Sequence, residues 1–219
     1  MAPVYRRLTD FPIPKLKKAA QACRIINGML IEAVSVSKRY GRDWVLRDLD
    51  FHLAKHEVVA LVGPNGVGKT TLLRVLAGLV RPTRGSVQLR GRVGFLANPP
   101  AFHRHFTGAE NLLYALRLDG QNSRHSEIQA ALAQAGLSLD KPVSSYSSGM
   151  KKRLAIARLR LQNPDIWLLD EPEAALDAEG RGLLENLVRH ARSLGGVVIA
   201  THDKSWLALV DRVVELRPA

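Results

Sequence analysis

The chain has 219 residues, a net charge of +12 and a single cysteine, Cys23. That length suffices to bury roughly 70% of the unfolded surface, so one domain with subdomains is expected. The lone thiol excludes an intrachain disulfide and a cysteine-based metal cluster, and it fits a reducing compartment. No apolar run approaches the roughly eighteen residues that span a bilayer. The broken stretch Phe11-Pro12-Ile13-Pro14-Lys15 does not read as a secretory signal.

Residues 1–28 lack sustained periodicity and carry Arg6, Arg7, Lys15, Lys17, Lys18 and Arg24 against Asp10 alone. The expectation is a dispensable or disordered N-terminal extension, with the functional domain beginning at Met29. The alternative is an amphipathic segment, Lys15 to Ile26, lying on a membrane. The remaining positive charge is spread along the chain. Nothing resembles a helix-turn-helix, a zinc finger or an aromatic RNA-binding strand pair, and a basic surface facing anionic lipid explains the balance equally well.

From Leu30 to Val36 the residues alternate as a strand does. Tyr40-Gly41 makes a turn, and Trp44 to Leu53 returns as strand. The apolar run Val58-Val59-Ala60-Leu61-Val62 then leads into Gly63-Pro64-Asn65-Gly66-Val67-Gly68-Lys69-Thr70-Thr71, followed by the helical run Leu72 to Ala77. The order is strand, glycine-rich turn, helix, and the turn matches G-x-x-x-x-G-K-[ST]. Such a loop closes backbone amides around phosphates at a positively polarised helix N-terminus. Lys69 reaches the terminal phosphates, and the Thr70 hydroxyl holds magnesium.

Gly78 and Pro82 stop the helix, and strands follow at Gly85 to Leu89 and Val93 to Ala97, broken by Asn98-Pro99-Pro100. Thr107 caps a helix through Leu116, and a second helix runs from Ser126 to Ala135 before Gly136. A serine-rich loop, Ser144 to Gly149, opens a basic amphipathic helix from Met150 to Leu161. In it Lys151-Lys152-Arg153 is expected to be an exposed face. His103-Arg104-His105 is read as a solvated loop, because no carboxylate or cysteine completes a metal site. Ile166-Trp167-Leu168-Leu169-Asp170-Glu171 is a buried strand with two acids at its carboxyl end. A helix over 179–194 and an apolar strand ending in Thr201-His202 follow. Strands alternating with helices around a phosphate loop predict an α/β fold with a mostly parallel sheet.

The loop 63–71, Tyr146-Ser147-Ser148-Gly149-Met150, Ile166 to Glu171, Ala175-Leu176-Asp177 and His202 stand in a fixed order. Together they resemble the nucleotide-binding subunit of ATP-binding-cassette (ABC) transporters over residues 29–216. The resemblance implies a P-loop NTPase core with a small antiparallel β subdomain and a helical subdomain at about 100–162. It implies ATP and Mg2+ as ligands, with Asp170 orienting magnesium, Glu171 polarising the attacking water and His202 bonding the terminal phosphate. Phosphoryl transfer of this kind asks the protein mainly to position water and neutralise charge. Tyr40 resembles the aromatic that stacks on adenine, with a simple turn tyrosine as its rival.

The signature loop departs from L-S-G-G-Q at three positions but keeps Ser147 and Gly149, which in the family close on ATP held by the other subunit. A homodimer, or a pairing with a second ATP-binding subunit, is therefore implied, with Asp177 at the seam. The family's Q-loop glutamine is replaced by Asn98, shorter by one methylene. Asn98 is taken as a magnesium contact, directly or through water, with an ordinary loop residue as the alternative. Phe102 and Phe106 fall where the family docks its membrane subunit.

The chain is similar to the small ATP-binding subunit of the haem exporter of cytochrome c maturation, an ATPase at the cytoplasmic face of the cell membrane partnered by an integral transporter subunit. Other exporters, of drugs, lipids or polysaccharides, carry comparable cassettes. A soluble ABC ATPase acting on ribosomes or nucleic acid, and a nucleotide-binding module without turnover, are the remaining alternatives. No nucleic-acid partner is expected.

Overall fold

The computed structural model describes residues 28–122 and 125–219, without the side chains of Lys204 and Leu207. Apart from Gly28, the expected N-terminal extension, its amphipathic alternative and Cys23 lie outside the described residues.

Two sheets organise the fold. A three-stranded antiparallel sheet has the order β2-β1-β4, formed by β1 (Met29–Tyr40), β2 (Asp43–Ala54) and β4 (Arg84–Leu89). A five-stranded parallel sheet has the order β5-β6-β7-β3-β8. Its strands are β3 (Val58–Val62), β5 (Val93–Leu96), β6 (Ile166–Asp170), β7 (Gly196–Ala200) and β8 (Arg212–Glu215). Strands β6 and β7 are buried at every position, as apolar runs covered on both faces should be, and the one acid among them, Asp170, closes β6.

The helices are α1 (Lys69–Leu76), α2 (Gly108–Leu118), α3 (His125–Gln134), α4 (Ser148–Gln162) and α5 (Ala178–Leu194). Thr107 caps α2 in a full capping box with Glu110. Side chains from alternate positions of the parallel strands feed two cores. Val59, Leu61, Leu168 and Val198 join α1 and the antiparallel sheet. Trp167, Leu169, Val197 and Ile199 join α4 and α5. A third core, built from α2, α3 and α4, forms the helical subdomain.

Three expectations are corrected. The first strand runs to Tyr40, well past Val36, because bulges between Ala33 and Lys38 carry the chain through an irregular stretch without ending the pairing. The strand expected to end in Thr201-His202 stops at Ala200, and a further strand, β8, pairs with β3 beyond it. Helix α4 has no single apolar face: Lys152, Leu154, Ala155, Ile156, Ala157 and Leu159 are buried on more than one side of it, with Lys151, Arg153 and Arg158 half-buried and Arg160 exposed. It is wedged between the second and third cores, each of which takes part of its surface.

Candidate nucleotide site

Parallel pairing aligns the carboxyl ends of β3, β5, β6 and β7. Asp170 lies opposite Ala200, Ala200 opposite Leu61, and Leu96 opposite Leu169. The ladder continues one residue further, through Glu171 N to Ala200 O at 2.9 Å and Thr201 N to Leu61 O at 3.1 Å. The segments leaving these strands therefore meet at one edge, the position where open α/β sheets bind ligands.

The loop after β3 wraps the start of α1. Gly68 sits at the helix N-cap with φ 110°, and a Cβ there would fall 2.9 Å from Val45 Cγ1. Only glycine lets the loop turn this tightly against β2. Lys69 is buried, and its Nζ donates to Gly63 O at 2.8 Å and Pro64 O at 3.0 Å, so the ammonium is curled inside the loop. Thr70 Oγ1 donates to Asp170 Oδ1 at 3.0 Å. Burial pushes the Asp170 carboxyl above its ordinary range, with the Thr70 hydroxyl and the charges of Arg74 and Lys152 pulling the other way. A hydroxyl and a buried carboxylate beside a caged ammonium are a donor set that suits magnesium and a polyphosphate.

Next to Asp170, Glu171 has a left-handed backbone, φ 42°. Its Oε2 accepts from Asn98 Nδ2 at 2.9 Å, and its Oε1 lies 3.8 Å from His202 Nδ1. His202 stands two residues past the end of β7, not on it, and its side chain is 63% exposed. Tyr40 ends β1 opposite Asp43, with its ring half exposed and Lys38 Nζ 5.0 Å from its centroid. It thus closes the hairpin whose second strand backs Gly68.

Ser147 caps α4, its Oγ accepting from Met150 N at 3.2 Å. With Gly149, Arg153, Ala175 and Asp177 it lines a separate polar cavity of about 360 Å³ that includes no residue of the phosphate loop. A Cβ on Gly149 would sit 2.8 Å from Ala175 O. The substitution of tyrosine for leucine at the first signature position has a local cause: Tyr146 is buried in the helical subdomain, and its hydroxyl donates to Ser138 O at 3.0 Å.

The expected exposed face Lys151-Lys152-Arg153 is contradicted. Lys152 is 2% exposed, and its Nζ donates to Asn98 Oδ1 at 3.2 Å and Glu171 O at 3.0 Å. Burial pushes its ammonium pKa down, opposed by the charges of Asp170, Glu173 and Glu171. Arg153 grips Asp177 with Nη2 at 2.6 and 2.7 Å and Glu179 with Nη1 at 3.0 Å. Sequence reasoning therefore missed Lys152, although helical phase was a usable signal. Residue 152 shares a face with Ile156 and Leu159, which point into the core. It also missed Glu173, which is buried and accepts from Thr201 Oγ1 at 2.5 Å. Its Oε2 has no hydrogen-bond partner among the described residues. Thr201 Oγ1 also accepts from Asp203 N at 3.0 Å, which braces both sides of His202.

Among the described residues no helix is long and apolar enough to cross a membrane. The family model for the ABC transporter matches residues 46–174. The ATP-binding protein YxlF of Bacillus subtilis, described as uncharacterized, is 37% identical over 79% of this chain and 62% of its own length. The sulfate/thiosulfate import ATP-binding protein cysA of Cucumis sativus is 37% identical over 85% and 59%. The cytochrome c biogenesis ATP-binding export protein CcmA of Pseudomonas syringae pv. tomato is 41% identical over 74% and 83%. The chain thus spans about three fifths of the length of the first two relatives. A dimeric, post-hydrolysis ATP-binding cassette bound to ADP and Pi superposes with a TM-score of 0.79 at 25% identity, over 86% of this chain and 94% of that one. The family match, the CcmA likeness and the shared two-sheet architecture around one phosphate loop agree: the chain belongs to the ATP-binding subunits of the ABC transporter family.

Proposed function

We propose that this chain is the ATP-hydrolysing subunit of a transporter, pairing with a second copy or a second ATP-binding subunit around two ATP molecules. It drives export through an integral membrane partner at the cytoplasmic face of the cell membrane. The observation that carries the proposal is the meeting of Lys69, Thr70, Asp170, Asn98, Glu171 and His202 at one sheet edge, linked by the bonds Thr70–Asp170 and Asn98–Glu171.

The loop amides and Lys69 bind the phosphates. Thr70 and Asp170 would hold magnesium, which supplies charge neutralisation across the phosphates when bound. The Glu171 carboxylate orients the attacking water and takes up its proton, while the exposed imidazole of His202 bonds the terminal phosphate. The Tyr40 ring offers a flat face to adenine. Ser147 and Gly149, in a cavity apart from the chain's own phosphate loop, serve the nucleotide of the other subunit.

Haem export for cytochrome c maturation is the finer assignment. It is supported by the 41% identity to the P. syringae export protein, of which this chain covers 83%, against 59% of the sulfate importer subunit. Purification from membranes tests it. The expected result is an integral partner retained with the chain and ATP hydrolysis stimulated by haem. Stimulation by a drug, lipid, polysaccharide or sulfate would replace the substrate, and a complex without ATP hydrolysis would remove the function.

A further inference from the structure

The hydrogen bonds of Asn98 fix which way its amide points. Lys152 Nζ is a donor only, so the Asn98 atom facing it at 3.2 Å must be the oxygen. The Glu171 carboxylate accepts, so the atom facing it at 2.9 Å must be the nitrogen. Both neighbours demand the same orientation. The oxygen that a magnesium ligand would need is already bound to an ammonium, and what Asn98 turns toward the hydrolytic carboxylate is an N–H.

Lys152 does a second thing at the same place. Glu171 is a non-glycine residue with φ 42°, a conformation that persists only where the surroundings enforce it. Its N–H is held by Ala200 O at 2.9 Å, and its carbonyl is held by Lys152 Nζ at 3.0 Å. One buried ammonium thus grips the backbone of Glu171 directly and its side chain through Asn98. Lys152 also lies on α4, five residues after the cap Ser147, so the signature turn and the hydrolytic carboxylate are joined by about one and a half turns of helix.

We propose that Lys152 is the positioning residue of the hydrolytic centre, holding Asn98 as a hydrogen-bond donor to Glu171 rather than as a magnesium ligand. This rests on the ATPase function proposed above. Asparagine suits the role because its amide bridges a donor on one side and an acceptor on the other. The lysine replaces contacts that a solvated loop would have drawn from water.

The test compares wild type, Lys152→Met, Asn98→Ala, Asn98→Asp and the Lys152→Met/Asn98→Ala double variant in the membrane complex. Turnover is measured alongside binding of a fluorescent ATP analogue across a magnesium titration. Lys152→Met and Asn98→Ala should each lower kcat roughly ten- to a hundredfold with KM and magnesium dependence unchanged. The double variant should be no slower than Lys152→Met alone, because losing the lysine already disables the contact made through Asn98. Asn98→Asp, which sets a carboxylate against Glu171, should be as slow as Asn98→Ala with no gain in magnesium affinity.

Wild-type kcat in Lys152→Met, additive losses, or tighter magnesium in Asn98→Asp would overturn the inference. Should Lys152→Met fail to fold, Lys152→Gln keeps one donor for Asn98 without a buried charge. It is expected to recover most of kcat, and a folded Gln variant as slow as Asn98→Ala would overturn the inference equally. A wild-type complex that does not hydrolyse ATP would instead overturn the function on which the inference rests.

Discussion

Glu171 carries a backbone conformation that costs about 1–3 kcal/mol, and it is pinned there from both sides by Ala200 and Lys152. In this conformation its carboxylate meets Asn98 and His202 beyond the strand end. At Asp177 the chemistry is different: hydrogen bonds from Arg153 and from Gly180 N hold its carboxyl below the usual range. A folded-state pKa below the unfolded value contributes stability that is present above about pH 3.9 and is lost as pH falls through the lower folded value. A carbon-detected NMR titration of Asp177 should therefore give a midpoint below 3.9 or so, and Arg153→Met should raise it; no change on substitution would detach Arg153 from this effect. The place of the phosphate loop, Asp170 and Glu171 at the sheet edge was legible because an apolar run that ends in a glycine-rich turn, or in two acids, marks the carboxyl end of a buried strand. Lys152 was not, because three consecutive cations look like surface until the helical phase of the following apolar residues is counted.

Helix α4 sets the position of more of the site than any other helix. Its first turn presents Ser147 and Gly149, its second carries Lys152 and Arg153, and its remaining turns fill two cores. Leu154 is fully buried where α4 meets α2 and α3, so Leu154→Ala should cost about 2–5 kcal/mol, read from chemical denaturation. A loss under about 1 kcal/mol would mean that the helical subdomain collapses around the cavity with little resistance. The central strands were legible as short apolar runs, and the capping box announced α2. Strand β8 was not legible: Arg212-Val213-Val214-Glu215 is four residues long, lies at a sheet edge and alternates exposed with half-buried positions. The burial of α4 on more than one side was hidden because its charged residues Lys152 and Arg153 are paired with other segments.

At the scale of the molecule, the cavity at the signature turn shares no lining residue with the phosphate loop of the same chain. Ser147→Arg should leave ATP binding within about twofold of wild type, because its cavity shares no lining with the loop, and should abolish turnover by blocking closure of the pair. Loss of ATP binding by that variant would put both features in one site. The most direct measurement is ATP turnover by the membrane complex of wild type and of Glu171→Gln, with bound nucleotide assayed in the same samples. Hydrolysis by wild type and a loss of roughly a hundredfold or more in the variant, with ATP still bound, is the predicted result. Equal turnover in the two, or a variant that no longer holds ATP, would contradict it.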